Sequence, residues 1–266
     1  MTLERREAVA ERAARAGASV ALEQFRSDLA VETKSGKTDV VTQADRDAQA
    51  RVVEVIRDSF PEEAIIGEEG GGVEAVPSSG AVWVVDPIDG TSNYVRGSRT
   101  WATSVAVIVD GEPVAAATIL PAEGDSYLAG QDPATLNGDP ISVSDRRDPE
   151  TFVVVPMLWW PTERRGEYAA AFEAIVTRFG DARRVGCAQG TLAMLASGQI
   201  EGIITTVRGN PWDTVAGVHL VEQAGGTVTD VAGETWHPES KGLVASNGRA
   251  HDRLLSAVRD VLAVES

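Results

Sequence analysis

The residues best suited to chemistry lie in the segment 83–94, WVVDPIDGTSNY, where Asp86 and Asp89 leave an apolar run three positions apart. Pro87 disfavours a helical Asp86 and fixes its own φ, which lets carboxylates at this spacing converge on non-helical backbone. The Ile88 carbonyl, in so irregular a link, lacks a regular partner and is available as a third oxygen. Thr91 and Ser92 read as the first residues of a helix, and the N–H groups of Gly90 and Thr91 favour a phosphate there. Two further acids sit in comparable places. Glu68 leaves the apolar run 64–66 into the loop Gly67-Glu68-Glu69-Gly70-Gly71-Gly72, and Asp213 in Pro211-Trp212-Asp213 opens a helix after the run 202–207. An oxygen-rich cluster of this kind suits Mg²⁺, which takes carboxylates and substrate phosphate and keeps several waters. Each segment alone also reads as ordinary structure: a surface turn, a flexible glycine loop, an acid complementing a helix dipole.

Positioning these groups requires strand ends and helix starts. Val9, Ala13, Ala16, Val20 and Phe25 recur at helical spacing, with Thr2 in the capping position. The polar stretch 33–45 reads as a loop before a second helix marked by Val52, Val53, Ile56 and Phe60 and stopped by Pro61. Strands are predicted at 64–66, 81–85, 103–109 and 112–120, the last two joined as a hairpin by Asp110-Gly111. Asn137-Gly138 marks a second hairpin. The remainder alternates strands (152–155, 183–185, 202–207, 227–231, 242–245) with helices (167–179, 191–196, 212–224 capped by Gly225-Gly226, and from about 249). Such alternation predicts layered α/β architecture in one large domain or two coupled ones, with the irregular stretch 121–151 as the seam.

Taken together, Glu68-Glu69, Asp86-Pro87-Ile88-Asp89-Gly90-Thr91-Ser92-Asn93, Trp212-Asp213 and the helix end Glu222-Gln223-Ala224-Gly225-Gly226 resemble the inositol monophosphatase family of Mg²⁺-dependent, lithium-sensitive phosphatases. The resemblance runs from about residue 37 to 226 in the family's order. It implies the five-layered αβαβα sandwich of the sugar phosphatases, commonly assembled as homodimers. The chain would then be a single unit over 1–266, with an N-terminal α+β half (about 1–125) and a C-terminal α/β half (about 150–266).

Residue by residue, the resemblance implies a first Mg²⁺ on Glu68, Asp86 and the Ile88 carbonyl, and a second on Asp86, Asp89 and Asp213, with Asp86 bridging. A weaker third ion would sit on Glu68 through water. The phosphate would lie on the N–H groups of Gly90 and Thr91, and the sugar against Gly186-Cys187-Ala188, Asp89 and Asp213. Asp45 would pair with Thr91, so that Thr91 and Glu68 orient an activated water in line with phosphorus and no phosphoenzyme forms. The implied substrate is a small phosphomonoester, inositol 1-phosphate or a related sugar phosphate. One departure bears on this choice. Inositol-selective members carry a glutamate near the end of the strand before Trp-Asp, whereas this chain reads Thr205-Thr206-Val207-Arg208. Arg208 suits a second phosphate, as in fructose 1,6-bisphosphate, or plain solvation at the surface. Histidinol phosphate, 3′-phosphoadenosine 5′-phosphate and NADP are further candidates. A regulatory binding protein on the same fold is the reading from a different class.

Other chemistries fit less well. A phosphoaspartate enzyme of the D-x-D-x-T type needs its second acid at +2 rather than +3, and an EF-hand needs acids beyond Asp89 that DPIDGTSNYVRG lacks. His219, His237 and His251 have no ligand spacing, and Trp159-Trp160 fits a dimer surface or a core equally. With 40 acidic against 24 basic residues in 266, the net charge of −16 disfavours nucleic acid and anionic membranes as partners. The only lysines are Lys34, Lys37 and Lys241, a pattern that suits either the surface of a protein from a salt-rich cytosol or a genome biased toward arginine codons. Cys187 is the sole cysteine, which excludes an intrachain disulfide and fits a reducing compartment. The charged start MTLERREAVAERAARAG and the absence of an 18-residue apolar run predict a soluble, cytoplasmic protein.

Overall fold

A computed structural model describes residues 3–27, 31–33, 40–70, 76–158 and 160–263. The first half comprises α1 (Leu3–Gln24), β1 (Val31–Thr33), β2 (Val40–Thr42), α2 (Gln43–Ser59), β3 (Ala64–Gly67), β4 (Ala81–Asp89) and α3 (Thr91–Val95). There follow β5 (Ala102–Val109), β6 (Glu112–Leu120), β7 (Asp125–Ala129), β8 (Thr135–Leu136) and β9 (Asp139–Pro140). The second half runs β10 (Val153–Pro156), α4 (Arg165–Val176), β11 (Asp181–Ala182), α5 (Ala188–Ala196), β12 (Gly202–Thr205), α6 (Pro211–Gln223), β13 (Thr227–Thr229), β14 (Leu243–Ser246) and α7 (His251–Ala263).

Strand periodicity divides the apolar residues among three interfaces. On the seven-stranded sheet, ordered β3-β4-β5-β6-β7-β8-β9, the face bearing Trp83, Val85, Val105 and Val107 packs on Val9, Ala13 and Ala14 of α1 and Val52 and Ile56 of α2. Val82, Val84, Ala106 and Ala116 on its other face meet Leu192 of α5 and Val215 and Val218 of α6. Those helices also rest on Val155, Ile203 and Ala245 of the five-stranded sheet, ordered β11-β10-β12-β14-β13. Val154, Ile204 and Val244 on its far side pack against Ala171 and Ile175 of α4 and Leu254 and Val258 of α7. The outcome is the expected αβαβα sandwich. Among the described residues, no helix is long and apolar enough to cross a membrane.

Both expected hairpins form as two-residue loops: Asp110 and Gly111 (φ 52° and 89°) join β5 to β6, and Asn137 and Gly138 (54° and 90°) join β8 to β9. Other boundaries differ. Thr2, Gly71, Gly72 and Trp159 lie outside the described residues. The polar stretch 33–45 holds β2 and the start of α2, because Asp45 accepts from the Thr42 N–H (2.8 Å) in a capping box and so begins the helix at Gln43. The seam at 121–151 carries β7, β8 and β9, strands of two to five residues too short to show a period. The strand expected at 183–185 is instead β11 at Asp181–Ala182, after which the chain leaves the sheet. The strand expected at 81–85 continues to Asp89, α5 begins three residues early at Ala188, and β12 and β13 end at Thr205 and Thr229.

Candidate active site

The site is built on an irregularity in β4. Asp86 pairs with Ser104 and Asp89 with Ala102, so β4 fits one more residue than β5 into the same span. Pro87 brings no N–H to this bulge. The Pro87 carbonyl accepts from the buried Thr103 hydroxyl (2.7 Å), and the Ile88 carbonyl accepts from the Thr91 hydroxyl (3.1 Å) rather than standing free. The bulge turns Asp86 and Asp89 to one place. Asp213, in the first turn of α6, joins them there, with one carboxylate oxygen from each residue within 4.8 Å of the others. Glu68, the residue after β3, lies near enough for its charge to act on Asp86.

Donors compensate these carboxylates unequally. Asp89 caps α5: its Oδ1 accepts from Ala188 N (3.0 Å), and its Oδ2 from Gln189 N (2.5 Å) and the Cys187 thiol (3.0 Å). Asp213 Oδ2 accepts from the backbone N–H (3.1 Å) and side-chain amide (3.0 Å) of Asn210. Asp86 is buried, and its Oδ1 has no hydrogen-bond partner. Burial, then the charges of Glu68, Asp89 and Asp213, push its carboxyl well above the usual range. Burial also raises Asp89, against the pull of its donors. An unpartnered buried oxygen facing other carboxylates fits a hard cation, which supplies the missing partner and neutralises the cluster.

Beside the cluster stands Thr91, whose hydroxyl lies 3.1 Å from Asp45 Oδ1 as well as from the Ile88 carbonyl. Asp45 is fully buried and also accepts from the Thr42 hydroxyl (2.6 Å). Burial raises its pKa, Thr42 and Thr91 oppose that, and nearby Glu69 adds to it. Gly90 (φ 88°) caps α3, a conformation that favours glycine. Asn93 fastens this segment to the loop before α5 by donating to the Val185 carbonyl (3.0 Å) and to that of Thr100 (2.8 Å). Gly186, Cys187 and Ala188 thereby border Asp89 and Gly90. Cys187 is buried, as a small hydrophobe would be, yet its thiol also bonds to Asp89 and accepts from Gly190 N (3.3 Å).

Thr206 is engaged away from the cluster, accepting from the Trp160 indole (3.1 Å) and donating to buried Glu167, which Arg164 holds through two 2.6 Å bonds. Trp160 is therefore a core residue, stacked on Tyr168. Arg208 is exposed. His219 is buried within α6, a structural place. The sequence reading gave no role to Gln49 of α2, which holds the Glu68 loop, or to Gln189, whose amide donates to the Trp212 carbonyl (2.6 Å) and ties α5 to α6. A lone glutamine on a helix gives no signal that would have found either.

Comparison with known sequences decides the family. The profile of the inositol monophosphatase family matches residues 2–263. The chain belongs to that family. The family is metal-dependent, and this chain, as a member, is a phosphoric monoester hydrolase. A Thermotoga maritima relative named fructose-1,6-bisphosphatase/inositol-1-monophosphatase is 34% identical over 87% of each chain. The Nus factor SuhB of Escherichia coli K12 is 33% identical over 96% of each. The solved structure of a Thermotoga maritima IMPase superposes with a TM-score of 0.87 at 32% identity, covering 96% of this chain and 97% of that one.

Proposed function

We propose that the chain hydrolyses small phosphomonoesters with Mg²⁺. The observation that carries this reading is the buried, unpartnered Oδ1 of Asp86 among the carboxylates of Asp89, Asp213 and Glu68. Glu68, Asp86 and the Ile88 carbonyl would hold one Mg²⁺, and Asp86, Asp89 and Asp213 a second, with a third on Glu68. When bound, Mg²⁺ neutralises these acids and lowers the pKa of water. The chain's own groups do the rest. The N–H groups of Gly90 and Thr91 receive phosphate oxygens, and Thr91, held by Asp45, and Glu68 aim the water at phosphorus. The water oxygen bonds to phosphorus, the ester P–O bond breaks with its electron pair, and the leaving oxygen takes a proton. Inhibition by lithium, homodimeric assembly and a cytoplasmic setting belong to the same reading.

Inositol 1-phosphate and fructose 1,6-bisphosphate are the favoured substrates, in keeping with the names of the relatives. The commitment of Thr206 to Glu167 leaves no free acid there to select inositol, which favours broad specificity. The test is phosphate release from these two, histidinol phosphate, 3′-phosphoadenosine 5′-phosphate and NADP, with Asp86→Asn as control. Wild type as inert as that variant across the whole panel would end the enzyme reading. The relatives named Nus factor favour a second, regulatory role, and Asp86→Asn separates it from hydrolysis: a regulatory effect that persists in the inactive variant would support it.

A further inference from the structure

We propose that Gln49 is a positioning residue that fixes Glu68 in the same frame as Thr91, an inference that rests on the roles given above to those two residues. Asp45 and Gln49 are one turn apart on α2 and share a face. Asp45 reaches Thr91 (3.1 Å). Gln49 reaches the loop that carries Glu68. Its Oε1 accepts from Glu69 N (2.9 Å), and its amide nitrogen lies 3.4 Å from the Gly70 carbonyl. On the other side of Glu68, the amide fills the space next to Gly67, where a Cβ would lie 2.6 Å from Oε1. One buried side chain thus touches the backbone before and after Glu68. The backbone bond from Glu68 N to the Val85 carbonyl is a long 3.3 Å. The loop is rich in glycine, so its conformation depends on such external contacts. Two residues of one helical turn therefore register both groups that aim the water, and they do so without touching substrate.

Only an amide can make both hydrogen bonds at once. A carboxylate at 49 would keep the bond from Glu69 N, but it would turn an acceptor toward the Gly70 carbonyl and add charge beside Asp45, Glu68 and Glu69. Methionine keeps the volume and removes both bonds.

The experiment measures kcat, the Mg²⁺ half-saturation concentration and the melting temperature for Gln49→Met, alone and in a Glu68→Gln background. Alone, Gln49→Met is expected to lower kcat about tenfold, in line with small displacements of aiming groups, and to raise the Mg²⁺ requirement. In the Glu68→Gln background the further loss is expected to stay under about twofold, because a residue acting through Glu68 has nothing left to act on. Equal losses in both backgrounds would mean a merely structural role and overturn the proposal. Amide hydrogen exchange gives a reading independent of turnover: Glu69 N–H should exchange at least about tenfold faster in Gln49→Met, with the amides of α2 unchanged. Unchanged exchange at Glu69 would also overturn it. Wild type that hydrolyses nothing would instead sink the enzyme reading, leaving exchange to decide the positioning.

Discussion

Replacing Gly90 by alanine tests whether the phosphate cradle is a matter of backbone shape. Gly90 has φ 88°, and a side chain in the left-handed region costs about 1–2 kcal/mol. An alanine Cβ would lie 3.0 Å from the Gly186 carbonyl oxygen and 3.2 Å from Cys187 Cβ. Neither neighbour retreats freely, because Cys187 bonds to Asp89 and Asn93 holds the Val185 carbonyl next to Gly186. Relieving such overpacking in a dense interior adds about 1–2 kcal/mol, for a sum of about 2–4 kcal/mol. At about 2–3 °C per kcal/mol for a chain of this size, the melting temperature falls by about 4–12 °C. The protein remains folded at 25 °C, since this is only part of a typical stability of about 5–15 kcal/mol. Activity falls further than stability. Pushing the Gly186–Ala188 backbone from Gly90 misplaces Asp89 and the cradle together, and a shift of about 1 Å costs about 10²-fold in rate. Thermal melts and initial rates at 25 °C measure the two effects. A melting temperature within about 1 °C of wild type and a rate within about twofold would refute the reasoning.

Asp45→Asn leaves one acceptor where three donors converge, so Thr91 loses its orientation; kcat should fall about 10²-fold or more, while far-UV circular dichroism stays unchanged. Asp86→Asn removes a buried charge facing other acids, so in EDTA it should melt above wild type while lacking activity. Mg²⁺ at about 100 times its Kd should stabilise wild type by about 2.7 kcal/mol and this variant far less, as read by melts against Mg²⁺. His219, buried with an unpartnered Nε2, has its pKa lowered by burial to about 4 against 6.5 unfolded. The unfolded chain binds the proton first, so stability is full above pH 6.5 and is lost as pH falls toward 4, by about 3 kcal/mol from this residue. Urea melts of wild type and His219→Leu between those pH values check this, and parallel pH dependences for the two would contradict it.

What the sequence made legible was local. Asp110-Gly111 and Asn137-Gly138 dictate hairpins through two residues with positive φ, and Asp86-Pro87-Ile88-Asp89 encodes a bulge through one missing N–H. The helix caps at Asp45 and Asp213 were partly legible, because a first-turn acid looks the same whether it only caps or also faces a metal. The pairing of Asp45 with Thr91 spans 46 positions and came through family resemblance alone. Gln49, Asn93 and Gln189 act through amides on distant backbone, where other polar residues would look alike in sequence. β7 to β9 escaped because strands of two to five residues carry no period.

The distribution of donors explains why so acidic a chain can hold this cluster and still fold. Asp89 spends the N-terminus of α5, Asp213 the amide groups of Asn210, and Asp45 both donors of Thr42, so each anion is oriented by contacts the fold already owns. Behind them Ile88, Tyr94 and Trp101 close an apolar wall, with the Tyr94 hydroxyl donating to the Ala21 carbonyl (2.7 Å), which keeps competing water away from the Ile88 side. Of these four aspartates, Asp86 is the one with a buried oxygen that no donor among the described residues reaches. Adding a donor there would satisfy the oxygen and stabilise the fold, but it would also fill the place a cation needs. The unmet oxygen is thus a cost in stability concentrated at one atom, at the point where the proposed chemistry requires a positive charge that the protein does not supply.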